Sequence, residues 1–388
     1  MYPYYQASQH IGNLYDLLLD ERSRRVFWAR LACDIKPSIQ HFLSLFQSTG
    51  LLSPKLEGTQ QGWENTMARL QKQGKKVILY GAGSCGEIIG LQMKKENYDF
   101  FGFCDQHADA MPNGKLGKPV ISPTQLFEQA DDFYVVICST DYDAEIEQYL
   151  LENQFPADHI LPYFRSFGHS FASLTQSEYF EFPEYFTPHT AFVDGGVFHA
   201  EDSIQFTKWS GGKYSYIYAF EPDPYNCQQA GQALRDAGIE RVELISAAIG
   251  QAPDTVSFVS SNDSYSHIQT NEPLPGTFVQ PDSAAEIHQI PVKRLDDVVQ
   301  HPVGFIKLDI EGQEKNALRG AQQIIQRDRP LLAVCVYHRP GDMLDLMTYL
   351  HDLVPEYRFY LRHYSQIHYE TVLYAVDPTR KDVSYGNF

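Results

Sequence analysis

The chain has 388 residues, 43% hydrophobic and 21% charged, a globular composition too long for one core and suited to two domains with an appendage. Its formal net charge of −18 would repel a phosphate backbone or an anionic lipid surface, which sets nucleic acid and membranes aside as partners. The six cysteines form no CxxC and no His/Cys cluster, so neither a structural zinc site nor a disulfide framework is indicated. The start, MYPYYQASQH, lacks a basic stretch followed by an apolar run, and a cytoplasmic protein is expected.

Residues 1–74 are predicted to be helical. Apolar residues recur at three- and four-residue spacing, as at Leu14, Leu17 and Leu18 and then Val26, Phe27 and Leu31. A second helix, SIQHFLSLFQSTG, ends near Gly50. This segment carries no visible chemistry, and its apolar stripes suit intramolecular docking or a homodimer contact equally.

From Lys75 the pattern becomes strand–helix alternation: KKVILY, FFGFCD and FYVVICST are short apolar strands with helical segments between them. Residues 75–165 are therefore predicted to form a small Rossmann-like domain with a parallel sheet. Its first strand runs into YGAGSCG, which places Gly81, Gly83 and Gly86 in a G-x-G-x-x-G turn that opens a helix. Asp105 follows at about the 20-residue spacing of a ribose-binding carboxylate. No acid precedes Gly81, so the turn would tolerate a pyrophosphate. The run resembles the small nucleotide-binding-type domain of sugar-modifying enzymes, which implies a second nucleotide site for a nucleotide sugar. A sheet that only docks its neighbour is the competing reading.

After an aromatic-rich connector, residues 166–388 are predicted to form a second α/β domain. TAFVDGG, YSYIYAFEPD, VELISAAIG, VGFIKLDIEG and PLLAVCVYH read as five buried strands, and RFYLRHYS and ETVLYAVD as a closing hairpin. In FVDGGVFHAEDS, Asp194 ends a strand, Gly195 and Gly196 turn, and Ser203 lies in the next helix. A carboxylate just before the turn opposes a pyrophosphate but suits the α-ammonium and sulfonium of S-adenosylmethionine. Glu221, closing the next strand in YAFEPDP, is placed to accept two hydrogen bonds from a ribose diol. NAD-binding sheets use the same device, so only Glu221 and Asp194 together favour the methyl donor.

FIKLDIEGQE ends the fourth strand. Lys307, Asp309 and Glu311 alternate, so strand periodicity puts all three on one face at the carboxyl end, where α/β sheets bind ligands. An ion-pair cluster is the alternative to a ligand site there.

FVDGGVFHAEDS, AFEPDP, IPVKRLDDVV and FIKLDIEGQEKNALRGA, in this order, resemble the FkbM family of methyltransferases over roughly Phe182 to Asp377. The resemblance implies a class I methyltransferase fold, a doubly wound sheet with a terminal antiparallel hairpin. It also implies methyl transfer from S-adenosylmethionine to a hydroxyl on a sugar or polyketide-like small molecule. Cofactor contacts are then expected at Asp194, Gly195, Gly196, Ser203, Glu221 and Asp309. The chain departs from the family at Ala200, where glycine is usual, and near Phe198 and His199.

Candidates for the base that takes the hydroxyl proton are His338, in VCVYHRPGD at the end of the fifth strand, and the nearby Asp309, with Glu311 beside them. His267 competes. Asp309 and Glu311 alone lack a third metal ligand, and no metal is expected. Two readings compete with methyl transfer: a nicotinamide-dependent sugar oxidoreductase using Gly81 to Asp105, and a non-catalytic nucleotide-binding protein with a vestigial methyltransferase sheet.

Overall fold

The computed structural model describes residues 3–49, 63–139, 142–161, 177–260, 267–268, 286–365 and 367–380. It divides the chain into two compact units, Trp28–Ser177 with His363–Tyr369, and Met1–Phe27 with Glu178–Arg362 and Glu370–Phe388. No helix among the described residues is long and apolar enough to cross a membrane.

The first of these is built on strands β1 (Lys76–Tyr80), β2 (Gly102–Cys104), β3 (Val120–Ile121) and β4 (Phe133–Ile137), in the order β3-β2-β1-β4. Every pairing in this sheet is parallel. Residues 77–79 and 135–137 are wholly or nearly buried, which is why their sequences are unbroken apolar runs and not alternating ones. The helix Ser84–Lys95 follows β1 directly and lays Ile88, Ile89 and Met93 into that core.

In the larger unit the order is β14-β15-β13-β12-β5-β6-β7, once β5 (Ala191–Gly195), β6 (Ile217–Phe220), β7 (Val242–Ile245), β12 (Val303–Leu308), β13 (Leu331–Cys335), β14 (Arg358–His363) and β15 (Thr371–Val376) are laid side by side. From β13 to β7 the strands are parallel, and β15 inserts antiparallel against β13. This is the doubly wound sheet with an antiparallel end expected from the sequence. One part was not expected. Between β7 and β12 lies a second sheet of β8 (Ala248–Ile249), β9 (Asp254–Ser260), β10 (His267–Ile268) and β11 (Glu286–Lys293), in the order β10-β9-β11-β8.

The helical segment expected over 1–74 does not stand as one body. Its first 27 residues belong to the larger unit, where Leu14, Leu18, Val26 and Phe27 are buried. The reason is partly ionic. Arg362 is almost fully enclosed there and meets Asp20 at 2.7 Å and Glu181 at 2.6 Å, while Ser23 Oγ accepts the Leu361 amide at 3.0 Å. Buried guanidinium needs such partners.

Candidate active site

Parallel pairing brings the carboxyl ends of β5, β6, β12 and β13 together, with Asp194 in register with both Lys307 and Ala219. The turn after β5 is closed by backbone. Gly196 has φ 80°, and a Cβ there would stand 1.9 Å from the Asp309 carbonyl oxygen, so only glycine fits. A Cβ on Gly195 would press on Leu308 and Ile249. Gly196 is thus required by neighbouring backbone, whereas a side chain at Gly195 would have to displace the tips of Leu308 and Ile249.

Asp194 and Ser203, expected at a ligand, are both fully enclosed, and the Ser203 hydroxyl donates to Asp194 Oδ2 at 2.6 Å. They present no surface. That bond ties the helix Glu201–Trp209 to β5. Lys307 completes the arrangement: its ammonium lies 3.3 Å from Asp194, 3.0 Å from Asp202, and donates to the Gly196 carbonyl at 2.8 Å. Burial disfavours both charges and pushes Asp194 up to about 6, but Asp194, Asp202 and Asp309 together hold Lys307 well above its ordinary value. Lys307 is therefore a cation committed to the turn.

Glu221 closes β6 and keeps only a small exposed edge. One carboxylate oxygen accepts the Phe198 amide and the other the Asp223 amide, each at 2.9 Å. Burial raises it to about 7 despite these two bonds. Each oxygen retains a second lone pair. Next to it, His199 stacks on Phe198 at 3.8 Å, and its Nε2 is buried without a hydrogen-bond partner.

A second cluster sits one strand over. Asp309 follows β12, and its two oxygens accept the Tyr337 and Tyr179 hydroxyls at 3.1 and 3.0 Å. The His338 ring, after β13, has Nε2 3.4 Å from Asp309 and 3.7 Å from Glu311, and Nδ1 3.0 Å from Glu314. Neither ring nitrogen meets these oxygens in hydrogen-bond alignment. Strict alternation does not carry Glu311 to this place, because β12 ends at Leu308 and Glu311 itself turns at φ 53°. Glu314 folds the loop back, its Oε1 accepting the Ile310 and Gly312 amides at 3.1 and 3.3 Å.

Charge in this cluster follows from geometry. Burial opposes the imidazolium, but Glu314, Glu311 and Asp309 outweigh it and raise His338 to about 10. Burial raises Glu311 to about 8. Asp309 goes the other way: burial would raise it, but His338, Lys307 and the Tyr179 hydroxyl hold it below the ordinary aspartate value. The side chains of Asp309 and Glu311 remain 25% and 33% exposed, whereas that of His338 is 3% exposed. Glu314, Tyr179 and Tyr337 join the site beside the residues that the sequence singles out. Glu314 closes the motif FIKLDIEGQE, three residues past Glu311, and that is its signal; Tyr179 comes from the connector and carries none. The side chain of His267 lies outside the described residues.

At the other glycine turn, Gly81 has φ 108° and a Cβ there would stand 2.5 Å from the Cys138 carbonyl oxygen. Gly86 is packed against the Gly81 carbonyl, while Gly83 faces open space at the start of its helix with no side-chain cap. Asp105 accepts the Ala82 amide at 2.8 Å and the His107 amide at 2.9 Å.

Residues 192–363 match the methyltransferase FkbM domain. Residues 73–161 match the domain described as C2185-like, N-terminal. No curated protein sequence matches the chain. Among solved structures, the FkbM methyltransferase from Methylobacillus flagellatus KT is 20% identical, covering 80% of this chain and 93% of its own, with a TM-score of 0.47. An O-methyltransferase from Bacillus cereus in complex with SAH is 13% identical over 62% of this chain and 91% of its own, with a TM-score of 0.32. A SAM-dependent methyltransferase from Aquifex aeolicus is 13% identical over 54% and 98%, with a TM-score of 0.30.

Proposed function

We propose that the larger unit transfers a methyl group from S-adenosylmethionine to a hydroxyl of a sugar or other natural-product-like small molecule. The observation that carries this reading is Asp309, a partly exposed carboxylate kept ionised at the carboxyl end of β12, within the segment that matches a methyltransferase domain. Two features fit the cofactor: Glu221, whose oxygens keep lone pairs for a ribose diol, and the buried, unpartnered Nε2 of His199 beside the glycine turn.

When bound, the cofactor supplies an electrophilic methyl group, which a nucleophilic oxygen takes up in line while the carbon–sulfur electron pair returns to sulfur. Holding the acceptor in line supplies much of the rate. Asp309 accepts the hydrogen bond of the acceptor hydroxyl and takes its proton. His338 does not take it at neutral pH, because a ring already protonated up to about 10 has no free lone pair to offer. Its role is positional: the imidazolium keeps Asp309 ionised. Glu311, neutral below about 8, donates its proton to a second acceptor oxygen.

Calorimetry with S-adenosylmethionine and its demethylated product, followed by turnover on a panel of hydroxylated acceptors, tests the assignment. Asp309→Asn is expected to lose about 100-fold or more in turnover while binding the demethylated product normally. Absence of binding by the wild type would overturn it.

A second reading concerns the smaller unit. Gly83 leaves the start of a helix uncapped and open, which supports a phosphate-bearing ligand such as a nucleotide sugar at Gly81, Gly83, Gly86 and Asp105. A melting shift with UDP-sugars that is lost in Gly83→Val is the expected result; no shift in wild type would leave this sheet a docking module.

A further inference from the structure

We propose that Asp309, Glu314 and His338 form a binding site for one divalent transition-metal cation of the class served by mixed imidazole and carboxylate ligands, with Mn²⁺ as the probe. Each of the three offers one ligand atom, and these atoms lie within 4.8 Å of one another. Adjacent donors around an octahedral ion at about 2.1 Å stand about 3 Å apart. At His338 the short contacts are 3.0 Å from Nδ1 to Glu314 and 3.4 Å from Nε2 to Asp309; one ion takes one of these nitrogens, and the other carboxylate completes the set from within the 4.8 Å span.

His338 is the independent observation. Its ring is almost completely enclosed and points into the carboxylates, yet both nitrogens lack a hydrogen-bond partner. Buried polar atoms are rarely left so. A metal ion would satisfy one of them through its lone pair, in place of a proton. The two carboxylates are already oriented by other groups, as ligands usually are. Glu314 is pinned by the Ile310 and Gly312 amides, and Asp309 by the hydroxyls of Tyr179 and Tyr337. Asp309 also reaches the surface, which gives the ion a way in. Glu314 is the third ligand that the pair Asp309 and Glu311 lacked in the sequence.

The site rests on the methyl-transfer reading and deepens it: when bound, the cation would replace the His338 proton as the positive charge that keeps Asp309 ionised, and would polarise the acceptor oxygen. Binding itself can be tested apart from that reading. The chelator-treated full chain is titrated with Mn²⁺ and followed by electron paramagnetic resonance and calorimetry. One equivalent is expected to bind, weakened at least about tenfold in Asp309→Asn, His338→Ala and His338→Gln, each checked for folding by its melting curve. Glu145→Gln, on an exposed helix face of the other unit, is expected to bind as wild type. No binding at millimolar Mn²⁺, or equal affinity in all the cluster variants, would overturn the site and leave an ion pair. Titrating the demethylated cofactor product into the same samples reports the methyl-transfer reading separately.

Discussion

The chain contains two glycine turns built by the same device. In each, a buried parallel strand runs into a turn whose first glycine or second glycine has positive φ, at Gly81 and Gly196. In each, a carboxylate at or just past the end of the neighbouring strand, Asp105 or Glu221, accepts a backbone amide of that turn, from Ala82 or Phe198. The difference lies beneath and beside them. Tyr80 stands where the larger unit has Asp194, and no buried lysine pairs with the smaller turn among the described residues. The glycine turn is therefore general scaffolding. What makes one of the two a candidate active site is the charge that β12 and β13 bring to it.

The largest expected effect tests that charge. Lys307→Met leaves Asp194 fully enclosed beside Asp202 without its cation. A loss of about 3–5 kcal/mol in stability is expected by urea unfolding at pH 8, because a buried charge has lost its partner. The loss should be smaller at pH 5, where Asp194 is protonated in compensation. A change below about 1 kcal/mol at both values would mean that the ion pair does not hold the turn.

Next comes the pair of amide-accepting carboxylates. At pH 8, above the value of about 7 to which burial raises Glu221, Glu221→Ala is expected to weaken binding of the demethylated cofactor by about 1.5–3 kcal/mol, tenfold or more, by removing a charge-assisted acceptor. Asp105→Ala should leave that affinity unchanged. Equal losses in the two variants would dissolve the distinction between the turns.

The third test is pH. His338 has its proton affinity raised in the folded state, so its contribution is complete below about 6.5 and is lost as pH rises through about 10. In chelator, the stability gap between wild type and His338→Gln should shrink by at least about 1.4 kcal/mol between pH 6 and pH 10, the equivalent of one pKa unit. A constant gap would show that the ring is not held as a cation.

These expectations also mark what the sequence could disclose. Strands β5, β6, β12 and β13 were legible because both faces are buried and their sequences are continuous apolar runs. The sheet of β8 to β11 was not: Asp254 and Thr255 are exposed, and Pro291 interrupts the last strand. Within the site, LDIEGQE disclosed Asp309 and Glu311. It could not disclose that Asp194 is sealed by Ser203 and Lys307, nor that His338 is charged. Both depend on carboxylates brought close by tertiary packing, Glu314 by a left-handed turn at Glu311 and Asp202 by the following helix.

Ala200 offers the smallest and most local test of the comparison. It caps the start of the helix Glu201–Trp209 at φ 71°, fully buried, with no side-chain cap. That conformation explains why glycine is usual there in the family the sequence resembles: an L-residue in the left-handed region pays about 1–2 kcal/mol for the crowding of its Cβ, and alanine is also a poorer N-cap than glycine. Ala200→Gly relieves both terms. Against this stand the lost burial of one methyl group, about 0.8 kcal/mol, and the greater freedom of glycine in the unfolded chain, about 0.4–1 kcal/mol. The opposing terms are close, and a gain of up to about 1 kcal/mol is expected by chemical denaturation. The helix start of the smaller unit already carries Gly83, at φ −72°, and has no such strain to release. If Ala200→Gly destabilises the protein, the buried methyl outweighs the strain, and alanine is there for packing.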